Sequence, residues 1–176
     1  MDSQTHGTPD EADFDAAIAT RARCWYAACL RITRNPQLAE DAVQDAMLRA
    51  WRQRHQFEHG ARLETWIHRI AVNSALQLLR QQRPERDEPL DFDVEDAGTP
   101  PDAARWEEEL GGALGAALHR LSDIERTCFV LRHVEQWHLE EIAGQVGKSV
   151  GSVKQALFRA VRKLRDHLPA LAREAS

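Results

Sequence analysis

Residues 138–164 read HLEEIAGQVGKSVGSVKQALFRAVRKL, and this stretch decides the fold. Ile142 and Val146 before Gly147, and Val153, Leu157 and Leu164 after it, recur at helical spacing and form one apolar seam between two helices. Ala143 is small where the second helix crosses the first. Gly147 follows four residues later, where the turn demands a positive φ or a close approach. Ser149 and Ser152 can cap the second helix. The spacing predicts helices over Leu139–Val146 and Gly151–His167, the latter ending before Pro169. From Lys148 to Arg165 there are six bases and no acid. Lys154, Arg159, Arg162, Lys163 and Arg165 ride on a helix whose seam is already apolar. Such a helix-turn-helix can place its second helix in a DNA major groove. The blander reading is a helical hairpin with a solvated basic face.

Upstream, Ser122-Asp-Ile-Glu125 is a capping box that opens a helix to about Val134. A helical pattern precedes it from about Asp102 to Leu121. The segment Glu85–Pro101 is acidic, carries Pro and Gly, lacks periodicity and reads as a linker. Before it, a helical period runs from about Asp13 to Ile32, with Ile18, Ala22, Trp25, Cys29 and Ile32 as its apolar positions. Asn35-Pro36 supplies a cap and a first helical residue for a helix to about Arg54, burying Ala39, Val43, Met47, Leu48 and Trp51. Phe57 to Gly60 reads as a loop. A third helix spans about Leu63 to Gln82, with Trp66, Ile67, Ile70, Ala71, Ser74 and Leu78 along one face. No strand alternation or internal repeat is present. The expected fold is all-α: a lobe of three to four helices over 13–84, an acidic flexible linker over 85–108 and a helix-turn-helix lobe over 109–170. An acidic, disordered tail over 1–12 precedes them.

The net charge of −5 conceals a segregation. Residues 20–86 hold twelve Arg against six acids, residues 87–109 ten acids against one Arg, and residues 110–173 ten bases against six acids. Two basic lobes that attract phosphate are separated by a segment that phosphate repels. That linker is either a solvated tether or a mimic of nucleic acid.

Several function classes are excluded by pattern. Cys24, Cys29 and Cys128 show neither zinc spacing nor a disulfide framework and read as buried thiols. His55, His59, His68, His133 and His138 form no HExxH arrangement, and no phosphate-binding glycine loop exists, so neither an enzyme nor a cofactor or metal is expected. No apolar run approaches the roughly 18 residues of a membrane span. Met1 to Asp15 carries acids and no base, the reverse of a targeting signal, so a cytoplasmic location is expected.

The segment from Leu118 to Leu168 closely resembles region four of extracytoplasmic-function (ECF) RNA polymerase sigma factors. NPQLAEDAVQDAMLRAWRQRHQF (35–57) and ETWIHRIAVNSALQLLRQQR (64–83) resemble region two of the same family. The order and separation of the two segments match as well. The resemblance implies a promoter-specificity subunit with core RNA polymerase (its β′ coiled coil and β flap), promoter DNA and an anti-sigma factor as partners. It assigns Asp41, Gln44, Asp45, Leu48 and Arg49 to the polymerase surface. It assigns Gln56, Phe57, Glu58, His59, Arg62, Thr65, Trp66, Arg69 and Asn73 to recognition and melting of the near promoter element, the −10 element. It assigns Ser152, Lys154, Gln155, Phe158, Arg159, Arg162 and Lys163 to the distal element, the −35 element. Two departures stand out: Phe57-Glu58-His59-Gly60 puts an acid where the family commonly has Arg, and Ala156 stands where a base is common. Trp66 and Phe158 each fit either a core or a DNA-facing role, and Trp51 reads as core. The rival reading is a helix-turn-helix regulator acting without polymerase, which would need a dimer surface and a palindromic site.

Overall fold

The computed structural model describes residues 7–58, 60–82 and 112–174, with backbone alone for residues 113–114 and 167–174. The linker expected over 85–108, His59 and the start of the helix expected from Asp102 lie outside the described residues. All the described regular structure is helical: α1 Glu11–Thr33, α2 Pro36–Arg52, α3 Leu63–Gln81, α4 Ala113–His119, α5 Asp123–Phe129, α6 Leu139–Val146 and α7 Val150–Glu174. A 3-10 turn over Arg54–Gln56 follows α2, and a π-helical turn over Val130–Val134 continues α5. Among the described residues no helix is long and apolar enough to cross a membrane.

Local chemistry accounts for the helix ends. Asp10 and Asp13 close a capping box on α1, so that helix begins at Glu11, two residues before its expected start at Asp13. Asn35 caps α2 by accepting from the Leu38 amide at 3.1 Å, with Pro36 at the first position. Gly147 ends α6 at φ 65°, with the Lys148 amide donating to the Ala143 carbonyl. α7 runs through Pro169 instead of stopping before it. Proline removes one amide donor, which can bend a helix without ending it.

Helices α1, α2 and α3 form the first lobe around Phe14, Trp25, Cys29, Ile32, Ile67 and Val72. Beyond Pro36 and Leu38 in its first turn, the α2 face that is buried is the alanine stripe Ala39, Ala42, Ala46 and Ala50. Small side chains let α1 and α3 approach closely, and the larger residues are left on the flanks. Val43 and Met47 are therefore only half-buried, and Leu48 is 56% exposed. Trp51 is exposed as well: one edge meets Phe14 at 5.2 Å and the Arg54 guanidinium lies 4.1 Å over its ring. Ile18 is likewise exposed, its expected core place taken by Phe14 and Ala17. Of the thiols, Cys29 and Cys128 are buried and Cys24 is exposed, because Cys24 and Cys29 occupy different faces of α1.

The second lobe packs α5 and α6 on α7 through Cys128, Val130, Ile142, Val153, Ala156 and Ala160. The two lobes meet along a seam. Fully buried Arg126 donates through Nε and Nη2 to the Ile32 carbonyl at 3.4 and 3.3 Å, and it pairs with Asp123. The Arg34 Nη2 lies 2.6 Å from His119 Nδ1. His68 pairs with Glu135, and Arg69 pairs with Glu141 and covers the Trp137 ring at 4.5 Å. The π turn, held by Arg132 donating to the Trp137 carbonyl at 2.9 Å, carries Glu135 to this seam. Burial first, and then the charge of Glu135, push the Cys29 thiol up to about 12.

Candidate nucleic-acid interface

The recognition helix α7 begins at a serine cap: Ser149 Oγ accepts the Ser152 amide at 3.1 Å and lies 3.0 Å from Ser152 Oγ. Its inward face is Val153, Ala156 and Ala160, all buried. Ala156, where a base was anticipated to be missing from the DNA face, belongs to this packed seam, which a longer side chain would overfill. The opposite face carries Lys154, Gln155, Phe158 and Arg162 outward at helical spacing. Phe158 is 71% exposed, which resolves its two readings in favour of the outward one. Lys and Arg suit phosphates and guanine, Gln suits adenine, and an aromatic ring suits thymine methyls.

Arg159 and Lys163 lie on a flank. Arg159 Nε donates to Glu125 Oε1 at 3.2 Å and Lys163 Nζ to Oε2 at 2.9 Å. Glu125 also takes the Ser122 amide at 3.0 Å, as the capping box requires. Burial opposes the Glu125 charge, but hydrogen bonds from Lys163, Ser122 and Arg159 outweigh it and hold the carboxyl below the ordinary range. A depressed folded pKa contributes stability above the unfolded value and loses it as pH falls through the folded one. Thermal melts of the native chain and Glu125→Gln should therefore differ at neutral pH and converge as pH drops below about 4.5. Curves that stay parallel into acid would show that this charge contributes nothing.

The near-element candidates gather on α3 and the turn before it. Phe57 and Trp66 meet with ring centroids 5.4 Å apart and planes tilted by 51°, both half-buried, so Trp66 is neither wholly core nor a free wedge. Gln56, Glu58, Arg62 and Thr65 are exposed, and Arg62 pairs with Glu64 at 3.1 Å. Arg69 pairs with Glu141 and lies over Trp137, while half of its side chain stays exposed. Asn73 keeps a buried side-chain oxygen without a donor. His59 is outside the described residues.

On α2, Asp45 accepts from Ser74 Oγ at 2.7 Å and from Arg49 at 2.8 Å, while Arg49 also donates to Gln77 at 3.0 Å. Asp41 accepts from Gln37 at 3.0 Å. Ser74 and Gln77 brace α2 against α3, and Gln44 and Leu48 stand outward one helical turn apart. The involvement of Ser74 and Gln77 was not legible from sequence; polar residues on a mostly apolar helix face were its only trace. Among the described residues no cluster of His, Cys, Asp and Glu could hold a metal.

An all-helical protein of two lobes, one built as a helix-turn-helix with an outward cationic and aromatic stripe, belongs to the class that reads duplex DNA. Residues 18–85 match the model of Sigma-70 region 2 and residues 111–164 that of Sigma-70, region 4. The ECF RNA polymerase sigma factor SigG of Mycobacterium tuberculosis is 34% identical over 184 residues, covering 91% of this chain and 50% of SigG. The chain thus spans about half the length of that relative. RNA polymerase sigma factor CarQ of Myxococcus xanthus is 36% identical over 150 residues, covering 83% of each chain. The sigma factor RpoE of Bartonella quintana, solved in complex with the anti-sigma factor NepR, shares the fold at a TM-score of 0.56 and 21% identity, over 89% of this chain and 97% of that one. The chain belongs to the ECF family of RNA polymerase sigma factors.

Proposed function

We propose that this chain is a non-enzymatic promoter-specificity subunit acting in the cytoplasm, which joins core RNA polymerase and directs where transcription starts. Family membership supports this reading, and one observation carries it: Lys154, Gln155, Phe158 and Arg162 stand outward on a helix whose other face is fully packed. In this reading the lobe over 109–170 reads the distal element and meets the β flap. The lobe over 13–84 meets the β′ coiled coil through Gln44 and Leu48, framed by Asp41, Asp45 and Arg49. The turn from Gln56 to Arg62, with Thr65, Trp66, Arg69 and Asn73, receives melted bases of the near element. The tilted Phe57–Trp66 pair offers the kind of aromatic surface an unstacked base exchanges for its neighbours. Arg69 joins only once Glu141 releases it. An anti-sigma factor is the expected restraint, by analogy with the RpoE complex.

Run-off transcription with purified core polymerase tests the proposal. The native chain should give promoter-dependent starts. Lys154→Ala should weaken distal-element binding by about 1–3 kcal/mol for a base contact, and Arg162→Ala should flatten the salt dependence by roughly 0.9 for one phosphate. Start-site selection indifferent to both changes would remove α7 from the reading face.

A further inference from the structure

Resting on that reading of α7, we propose that Glu125 is a positioning and specificity-determining residue that withholds Arg159 and Lys163 from DNA phosphate, leaving the duplex to Lys154, Gln155, Phe158 and Arg162. Glu125 lies outside the helix-turn-helix, at the third position of α5, yet its carboxylate accepts from both cations. Its side chain is only 4% exposed, and Arg159 and Lys163 reach it from a single flank of α7, four residues apart. At about 100° per residue, Arg159 lies roughly 40° beyond Gln155 and Lys163 roughly 80° beyond it, on the edge of the outward stripe that adjoins the packed face of Ala156 and Ala160.

The capping box does not explain the charge. Glutamine serves the third position of such a box as well as glutamate, since all the cap needs is an acceptor for the Ser122 amide. Only a carboxylate also draws in two cations across the interior of the lobe. Burying a carboxylate is costly unless it is paired, and here both of its oxygens are paired. The consequence bears on DNA reading. Each cation that meets phosphate adds affinity without sequence information, whereas the residues left on the outward stripe can read base edges. A cation turned inward lowers binding to every wrong sequence alike, which is specificity by subtraction.

Glu125→Gln isolates this role because it keeps the cap and the volume and removes the charge. The full-length native chain, Glu125→Gln, and the triple variant Glu125→Gln/Arg159→Gln/Lys163→Gln would be titrated with a random-sequence DNA duplex by fluorescence anisotropy over graded KCl. Circular dichroism melts would verify that each remains folded. Glu125→Gln should bind the random duplex more tightly at low salt, with a log–log salt slope steeper by about 1–2 as one or two cations reach phosphate. The triple variant should lose that gain. A merely structural Glu125 would shift the melts and leave the slope alone, so equal slopes for the native chain and Glu125→Gln overturn the proposal, as does a gain that survives in the triple variant. Absence of duplex binding by both the native chain and Glu125→Gln would instead overturn the DNA reading of α7, and the role of Glu125 with it.

Discussion

Arg126→Met should lower the unfolding free energy by about 3–5 kcal/mol, the range seen when one partner of a buried ion pair is removed. Arg126 has no exposed surface and reaches the Ile32 carbonyl at the C-terminal end of α1, the Leu121 carbonyl at 3.5 Å and the Asp123 carboxylate. Methionine fills much of the volume but donates nothing. Asp123, already holding one buried oxygen without a donor, would lose its guanidinium, and the Ile32 carbonyl would lose its donors from the second lobe. Because α5 joins the lobes through this side chain, limited proteolysis should also find the chain easier to cut. Urea denaturation is the check. A loss under about 1 kcal/mol would mean that the seam contributes little to the folded state.

The second large effect concerns association. Leu48→Asp is expected to weaken binding to core polymerase by at least about 2 kcal/mol, roughly 30-fold, while stability moves by no more than about 0.5 kcal/mol. A leucine that is already 56% exposed costs little to replace in the free protein. Its neighbours Asp45 and Arg49 are braced by Ser74 and Gln77, so α2 presents Leu48 on a rigid helix, already oriented before any partner arrives. Placing a carboxylate there desolvates a charge against the partner, where a leucine would have buried apolar surface. Direct titration of labelled core polymerase measures the change. An unaltered dissociation constant would take this face of α2 out of the docking surface.

The helix-turn-helix shows how far sequence carried. Gly147, the serine cap and the apolar seam each act through backbone φ or hydrogen bonds over three or four residues, and each appears where the sequence puts it. The polarity of α2 was misjudged for an equally physical reason. Hydrophobic periodicity weighs Met47, Leu48 and Trp51 above alanine, whereas close helix packing selects the alanine stripe and pushes the large residues to the rim. Phe158 could have faced either way until the burial of Ala156 and Ala160 showed which side of α7 was taken.

What the chain's own letters determined is therefore its local architecture: where the helices start and stop, which two lobes they build, and that one lobe carries an outward-turning cationic helix. Tertiary structure alone decided which charges remain free. Glu125 meets Arg159 from 34 positions away and Glu141 meets Arg69 from 72, and no periodic pattern encodes such pairs. A cap is set by neighbours in the chain, but an ion pair is set by whichever surfaces packing brings together.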